Sequence, residues 1–504
     1  MTPTWTEDAA ALLADATNWP DQLHWTAYLA IALHVAVQIV LCLRVIMRRL
    51  SVGESLAWIL IIFGFPILGP SIYLLMGELR LGRRRAHRFI ELFPPIEQWL
   101  EELPSRRQVD WTRLGVECEP LSKLAQRSLG MPTLPGNQLE LIDQWQNVFQ
   151  RLIEDIDAAT CTCHLEFYIW QLGGEVTRVS EALVRAAQRG VTCRVLVDAM
   201  GSRAFLNSDV AVKLQDAGVQ VQAALPGGLL RMPFVRFDLR MHRKIIVIDG
   251  TIAYTGSLNL VDPRYFKQDS GVGQWVDAMV RLQGPAVESL AITFLADWYV
   301  ETDETLEHLR ETGGACAQPR HGESAIQVLP SGPAYRSDSI EQVLIMTVYA
   351  ARKELVLTTP YFVPSESLRM ALESAARRGV KVILILPARV DSRLVRYASQ
   401  AFKGELLRAG VRVANFDGGL LHTKSVTVDG EISLFGSLNL DPRSFRLNFE
   451  ISLTIYDREF TDRLRALQQA YIDQSKLMDL EAWNARPLRQ RFAENCARLF
   501  GPLL

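Results

Sequence analysis

The histidine at position 242 has a counterpart at 422, and that pairing governs what the chain can fold into. The first copy reads His242-Arg-Lys244-Ile-Ile-Val-Ile-Asp249-Gly250 and continues to Gly256-Ser257-Leu258-Asn259-Leu260. The second reads His422-Thr-Lys424-Ser-Val-Thr-Val-Asp429-Gly430 and continues to Gly436-Ser437-Leu438-Asn439-Leu440. The offset is 180 residues throughout, with no gap, and ten of the nineteen positions are identical. Flanking segments extend the correspondence. Arg189-Gly190-Val191 matches Arg378-Gly379-Val380, and Asp216-Ala-Gly218-Val219 matches Arg408-Ala-Gly410-Val411. Such a duplication calls for two copies of one folded unit.

Each copy alternates strands with helices. In the first, Leu139 to Asp157, Val176 to Arg189 and Val210 to Ala217 have helical spacing, while Cys163 to Trp170 and Val191 to Val197 read as strands. In the second, Ser339 to Ala351, Glu366 to Arg378 and Tyr397 to Ala409 read as helices, with strands at Glu354 to Thr359 and Val380 to Leu386. This alternation predicts α/β halves with largely parallel or mixed sheets. We place them at residues 136–310 and 337–480. The linker between, 311–336, is marked by Gly313, Gly314, Pro319 and the Ser331-Gly332-Pro333 turn.

The mean hydropathy of +0.07 is high for a soluble chain, and the excess lies at the front. Trp25 to Leu43 gives 19 positions without a charge, and Ser55 to Gly77 gives 23 more. A spanning helix needs about 20 mostly apolar residues. The expectation is a transmembrane helical hairpin over residues 22–78, after a tail at 1–21. Pro66 and Pro70 interrupt the second run, which either spans kinked or dips in as a re-entrant hairpin. His34 and Gln38 are candidate polar contacts between the two helices, or sit without function near the headgroups. Asp8, Asp15 and Asp21 precede the first run without any Lys or Arg, unlike a cleaved signal peptide. Arg80, Arg83, Arg84, Arg85 and Arg88 follow the hairpin, against Arg44, Arg48 and Arg49 in its loop. That bias leans towards a main body on the cytoplasmic side. Residues 79–135 form a connecting region holding Pro94, Pro95, Pro104, Pro120, Pro132 and Pro135, with room for short amphipathic helices. Residues 481–504 are read as a C-terminal tail.

Lys and Arg total 54 against 56 Asp and Glu, a formal charge of −2. The balance excludes a disordered chain and gives no reason to expect a nucleic-acid partner. The seven cysteines are scattered and complete no zinc knuckle; they read as structural thiols, with Cys161 and Cys163 on one strand face.

The chemistry lies in the repeat. His and Lys one residue apart on a strand project to the same face. Two halves meeting face to face would gather two imidazoles, two ammoniums and two amides around one anion. One imidazole can attack a phosphate while the other protonates the leaving group, and the lysines and asparagines can stabilise its nonbridging oxygens. No acidic metal cluster is needed and no cofactor is expected. One His-x-Lys alone is usually structural; two copies at identical spacing are not.

The double His-x-Lys-x4-Asp-x6-Gly-Ser-x-Asn pattern resembles the phospholipase D superfamily. The front segment, with Gly-Phe-Pro-Ile-Leu-Gly and Tyr73-Leu-Leu-Met-Gly77-Glu-Leu, looks like the membrane segment of bacterial cardiolipin synthases. So do Tyr361-Phe-Val-Pro, Asn439-Leu-Asp441-Pro-Arg443-Ser-Phe and the Gly-Pro-Leu-Leu ending. The resemblance implies two phospholipase D-like sandwich halves behind the hairpin. It implies phosphatidyl transfer between two phosphatidylglycerol molecules through a phosphohistidine, releasing glycerol. By position, His242, Lys244, Asp249, His422, Lys424 and Asp429 would be the catalytic set, the two aspartates serving the fold more than the chemistry. Which histidine attacks stays open. Asn259, Asn439, Ser257 and Ser437 would bind or line the phosphate site. Glu450 would orient the histidine of the second half and Asp277 that of the first, as a base needs an acidic partner.

The implied partners are a phospholipid and the bilayer; oligomerisation is left open. A hydrolase using water, or a synthase using phosphatidylethanolamine as donor, would share these motifs. A nuclease of the superfamily conflicts with the anchor and the charge, and a noncatalytic scaffold conflicts with two intact motifs. Pro226 to Arg236, apolar with two Arg and absent from the second half, is either an acyl-chain contact or an ordinary loop.

Overall fold

The computed structural model describes residues 6–48, 50–106, 109–227, 235–336 and 338–499. The chain divides into two units, residues 1–80 with 229–237, and residues 81–228 with 238–504. Arg49, most of the apolar loop after Pro226 and the Gly-Pro-Leu-Leu ending lie outside the described residues.

The first unit holds α1 (Thr6–Met47), α2 (Val52–Gly64) and α3 (Leu68–Met76). Within α1, Trp25–Met47 is, among the described residues, the one helix long and apolar enough to cross a membrane. The helix starts at Thr6, well inside the stretch expected as a tail. The second apolar run is not one kinked helix but two short ones. Pro66 sits in the break; Pro70 falls in the first turn of α3, where a missing N–H costs nothing. The α3 backbone packs directly on α2, and a Cβ on Gly69 would stand 2.0 Å from the Ile61 carbonyl oxygen. Polar ties close the unit. Gln38 Nε2 donates to the Ile62 carbonyl at 2.9 Å, Arg44 Nη2 to Glu78 Oε2 at 2.9 Å, and Arg48 Nη1 to the Gly77 carbonyl at 2.6 Å. Of the two polar residues singled out in the first run, Gln38 thus bridges to α2; His34 Nε2 has no partner among the described residues.

The second unit begins with α4 (Arg83–Arg106) and α5 (Cys118–Leu129). The connecting region therefore holds a long helix where its prolines suggested short ones, with Pro94 and Pro95 inside α4. The strands of the first half are β1 (Thr133–Ile142), β2 (Thr162–Phe167), β3 (Thr192–Asp198), β4 (Gln220–Ala224), β5 (Arg240–Met241), β6 (Ile245–Ile248), β7 (Ile252–Gly256), β8 (Trp275–Val276) and β9 (Met279–Gln283). Those of the second are β10 (Ser324–Ser331), β11 (Glu354–Thr358), β12 (Lys381–Pro387), β13 (Arg412–Phe416), β14 (Leu420–Leu421), β15 (Ser425–Val428), β16 (Ile432–Gly436), β17 (Asn448–Tyr456) and β18 (Ser475–Leu477).

One continuous mixed sheet results, in the order β18-β13-β12-β11-β15-β16-β17-β10-β1-β9-β7-β6-β2-β3-β4. It reads the same outward from the β10–β1 pair in both directions, apart from β18 at one edge. The two halves thus share one sheet about a pseudo-twofold axis. Helices cover its faces, and the Ala286–Glu301 helix is buried along all but its last residue.

Both strands at the axis correct the sequence reading. Leu139 to Ile142 belongs to β1, and the helix begins only at Trp145. Residues 324–331, inside the expected linker, form β10 at the centre of the sheet. Each strand carries a proline, which removes a ladder N–H and reads as a breaker. β1 absorbs Pro135-Gly136 in a bulge between Leu134 and Asn137, while Pro330 faces Ile451 in the ladder with β17. Cys161 departs too: β2 starts one residue after it, so it is exposed while Cys163 is buried.

Substituting Gly69→Leu should destabilise the detergent-solubilised protein by about 1–3 kcal/mol through overpacking against α2. Gly64→Leu, whose Cβ meets nothing within 4 Å, is the control. Thermal unfolding followed by size-exclusion checks this; equal melting points would refute the close approach.

Candidate active site

The local order Asp-Gly, Gly-Ser-x-Asn is a hairpin with a purpose at each position. Asp249 and Gly250 both have positive φ, 51° and 62°, as do Asp429 and Gly430 at 52° and 75°. A tight hairpin turn with the right-handed twist of its strands requires this at both central residues. The Asp249 carboxylate turns back to accept the backbone N–H groups of Thr160, Cys161 and Thr162 at 2.7–2.8 Å. Asp429 does the same for Arg352, Lys353 and Glu354. Burial would raise the Asp249 carboxyl, but these backbone donors outweigh it and hold it below its ordinary value. The two aspartates fasten the turn to the start of β2 and β11. Their hydrogen bonds go to these backbone groups, in keeping with the expected part in the fold. At the other end of the hairpin, a Cβ on Gly256 would stand 2.5 Å from the Ala278 carbonyl and one on Gly436 2.3 Å from that of Ile451. Only glycine lets β9 and β17 approach there.

The histidines follow two-residue strands that pair across the halves. β5 pairs in parallel with β17, and β14 with β8. His242 N–H donates to the Phe449 carbonyl at 2.9 Å, and His422 N–H to that of Val276 at 2.8 Å. The residue after each of these carbonyls is an acid. His242 Nδ1 lies 2.7 Å from Glu450 Oε2, and His422 Nδ1 lies 2.7 Å from Asp277 Oδ1. The sequence placed each carboxylate with its own half's histidine; the fold exchanges them. A carboxylate only accepts, so each Nδ1 carries the proton and each Nε2 offers a lone pair.

Ser257 and Ser437 are spent on the carboxylates. Ser257 Oγ donates to Asp277 Oδ1 and Ser437 Oγ to Glu450 Oε2, both at 2.6 Å. Their hydroxyls thereby position the two acids. Glu450 is further held by Asn448 Nδ2 at 3.1 Å, whereas Asp277 Oδ2 has no partner among the described residues. Asn259 Oδ1 accepts from Ile169 N–H at 3.2 Å, and Asn439 Nδ2 donates to Ser444 Oγ at 3.2 Å. Lys244 Nζ donates to the His242 carbonyl at 2.6 Å, and Lys424 Nζ to that of His422 at 2.5 Å.

The electrostatics follow from burial. His242 is 7% exposed and His422 3%. Burial pushes both imidazoles down to about 4, against the pull of their carboxylates, and each also feels the lysine of the other half. Burial likewise lowers Lys244 to about 8 and Lys424 to about 7. It would raise Asp277 and Glu450, but the facing histidine, a lysine and a serine outweigh it and keep both below the ordinary carboxylate value. Between about pH 4 and 7 and without substrate, the site therefore holds two neutral imidazoles between charged lysines and carboxylates.

Several contributors escaped the sequence reading. Tyr168 presents an edge to His242 at 5.1 Å between ring centroids, and Trp275 lies 4.3 Å from His422. Asp198 Oδ2 accepts the Met241 N–H at 2.8 Å, just before His242. Arg243, fully buried, donates to the Glu450 carbonyl at 3.0 Å and pairs with Asp297. Its repeat partner is Thr423, so comparing the two copies discards it. Among the described residues no group of His, Cys, Asp or Glu could hold a metal ion.

A family model for the phospholipase D-like domain of cardiolipin synthase matches residues 152–298 and again 344–471. A phospholipase D-nuclease N-terminal model matches residues 36–78. Cardiolipin synthase A of Klebsiella pneumoniae subsp. pneumoniae is 46% identical over 462 residues, covering 92% of this chain and 95% of that protein. Cardiolipin synthase A of Yersinia pseudotuberculosis is 46% identical over 464 residues, with the same coverage. In fold, the chain is similar to the crystal structure of Haemophilus influenzae phosphatidylserine synthase. The TM-score is 0.55 at 18% identity, covering 76% of this chain and all of that one.

Asp429→Ala should lower stability by about 1–3 kcal/mol, because three backbone N–H groups at the start of β11 lose a charged acceptor, while changing kcat less than twofold. Parallel thermal melts and turnover measurements check this. A large fall in kcat at an unchanged melting point would return the aspartate to the chemistry.

Proposed function

The chain belongs to the phospholipase D-like cardiolipin synthase family, and we propose that it joins two phosphatidylglycerol molecules into cardiolipin and glycerol through a phosphohistidine. The observation that carries the reading is the crossed pair of histidine–carboxylate bonds between two buried lysines. One imidazole Nε2 attacks the phosphorus of the first phosphatidylglycerol. A P–N bond forms, the P–O bond to the headgroup glycerol breaks, and the other imidazolium gives its proton to the departing oxygen. A hydroxyl of a second phosphatidylglycerol then attacks. Its proton passes to the second imidazole, the P–N bond breaks, and the first histidine is regenerated. Lys244 and Lys424 offset charge on the nonbridging oxygens, and Asn259 and Asn439 contribute amides to the same phosphate.

Charge arithmetic supports the second histidine as acid. Below about pH 7, where both lysines are charged, two lysines, two carboxylates and two neutral imidazoles sum to zero. A phosphodiester brings one negative charge, which favours protonating one imidazole on binding.

The N-terminal apolar helix associates the chain with a membrane, and tethering suits insoluble substrates. The reading places both apolar runs in the bilayer and the catalytic halves on the cytoplasmic side, on the arginine bias.

Purified protein given phosphatidylglycerol alone should yield cardiolipin and glycerol in equal amounts. Phosphatidic acid alone would mark a hydrolase, and a requirement for added phosphatidylethanolamine would mark a different donor. His242→Ala and His422→Ala should each reduce turnover by at least a thousandfold; near-normal activity in either would sink the shared site. A pH dependence follows from the lysines. In the empty site they lose their protons as pH rises through about 7 to 8, so kcat/KM should fall across that range. A bound anion favours the charged lysines, so kcat should hold to higher pH. Assays in mixed micelles from pH 6 to 10 check this, and a kcat/KM flat to pH 9 would contradict it.

A further inference from the structure

Away from the histidines, a cavity of about 790 Å³ opens between α4, α5 and the Ala286–Glu301 helix. That volume is in the range of small-molecule sites, about 300–1,000 Å³. No catalytic histidine or lysine lines it. Its walls are two-sided chemistry. α4 supplies Phe89, Leu92, Phe93 and Ile96, and Met131 and Ile292 face them. Phe93 is 46% exposed, a large apolar surface left open beside the groove. The groove also meets Lys123, Arg127 and Arg336. Lys123 pairs with Glu119 at 2.7 Å, but Arg127 and Arg336 have no acidic partner among the described residues. An apolar groove beside two exposed guanidiniums with no acidic partner among the described residues matches an acyl chain carrying a phosphate, since guanidinium recognises phosphate through paired donors.

We infer that this groove binds one anionic phospholipid molecule from the bilayer, its acyl chain along α4 and its phosphate at Arg127 and Arg336. The site is separate from the reacting phosphate but linked to it. Tyr335 lines the groove, and its hydroxyl accepts from Arg243 Nη2 at 3.4 Å. Arg243 in turn donates to the carbonyl of Glu450, the residue that holds His242. The lipid class rests on the proposed phosphatidyl transfer; the groove itself does not.

The test uses the full chain in detergent with phosphatidylglycerol bearing a photoreactive diazirine in one acyl chain, and maps adducts by peptide mass spectrometry. Adducts should fall on α4 and on the segment around Ile292. The double variant Arg127→Glu with Arg336→Glu should lower them at least fivefold while leaving labelling of α1 unchanged, and Arg127→Lys with Arg336→Lys should restore most of it. Phosphatidylcholine with the same diazirine should label the groove at less than a fifth of that level. Equal labelling by phosphatidylcholine, no loss in the double variant, adducts only on α1, or chain-to-chain crosslinks through the groove would each overturn the inference. Cardiolipin formation, measured alongside, separates the two readings. Groove adducts without cardiolipin fault the transfer alone, and cardiolipin without groove adducts faults the groove alone.

Discussion

The exchange of carboxylates between halves is the interaction on which the rest depends. Each histidine takes its Nδ1 partner from the opposite repeat, so neither half contains a complete proton-relay pair. That exchange requires β5 to pair with β17 and β14 with β8. Those pairings require the halves to meet at a fixed register, which the continuous β10–β1 junction supplies. A loose association of two domains would leave each imidazole buried without an acceptor, at a cost of about 1–3 kcal/mol per group. The shared sheet is therefore a condition of the chemistry as well as of stability.

Much of this was legible in the sequence. The 180-residue offset gave the duplication, and alternation gave the α/β class, because both rest on local spacing. The two His-x-Lys pairs came together as spacing predicts. What failed was non-local. Both axial strands contain proline, and a proline reads as a break unless a bulge or a ladder partner is known; β1 and β10 supply those only in three dimensions. The identities of Glu450 and Asp277 were readable as acids after the Gly-Ser-x-Asn runs, but no spacing says which histidine each would meet. The bonds of the serines to those acids were hidden for the same reason. A hydroxyl beside a phosphate site looks like a phosphate ligand until a carboxylate appears 2.6 Å away. For the second apolar run, Pro66 and Pro70 left a kinked span or a re-entrant hairpin open, and the break into two short helices falls at Pro66.

The two half-sites are copies that differ in what stands behind them. The histidine, lysine, serine and asparagine of each motif are the same in both repeats, while the acid differs, Glu450 against Asp277, as do the neighbours Tyr168 and Trp275. Behind His242 lies a buried charged group. Arg243 pairs with Asp297, and Glu166, with no exposed surface, stands close enough to raise its own carboxyl well above the ordinary value through burial and then through Asp297. Behind His422 the equivalent position is Thr423, which bonds the Val276 carbonyl and the Tyr471 hydroxyl, both at 3.2 Å and both neutral. Removing one member of a buried ion pair costs about 3–5 kcal/mol because it strands the other charge. Losing a neutral hydrogen bond costs about 1 kcal/mol. The strand that presents Glu450 to His242 is thus tied to a buried ion pair, and the one that presents Asp277 to His422 to neutral hydrogen bonds. Asp277 also keeps one oxygen without a partner among the described residues, while Glu450 has donors on both. The proposed two-step transfer would ask its two histidines for different things, one to hold a covalent bond and one to pass a proton twice. The difference between the copies that would serve it lies behind the site, in Arg243 with Asp297 against Thr423.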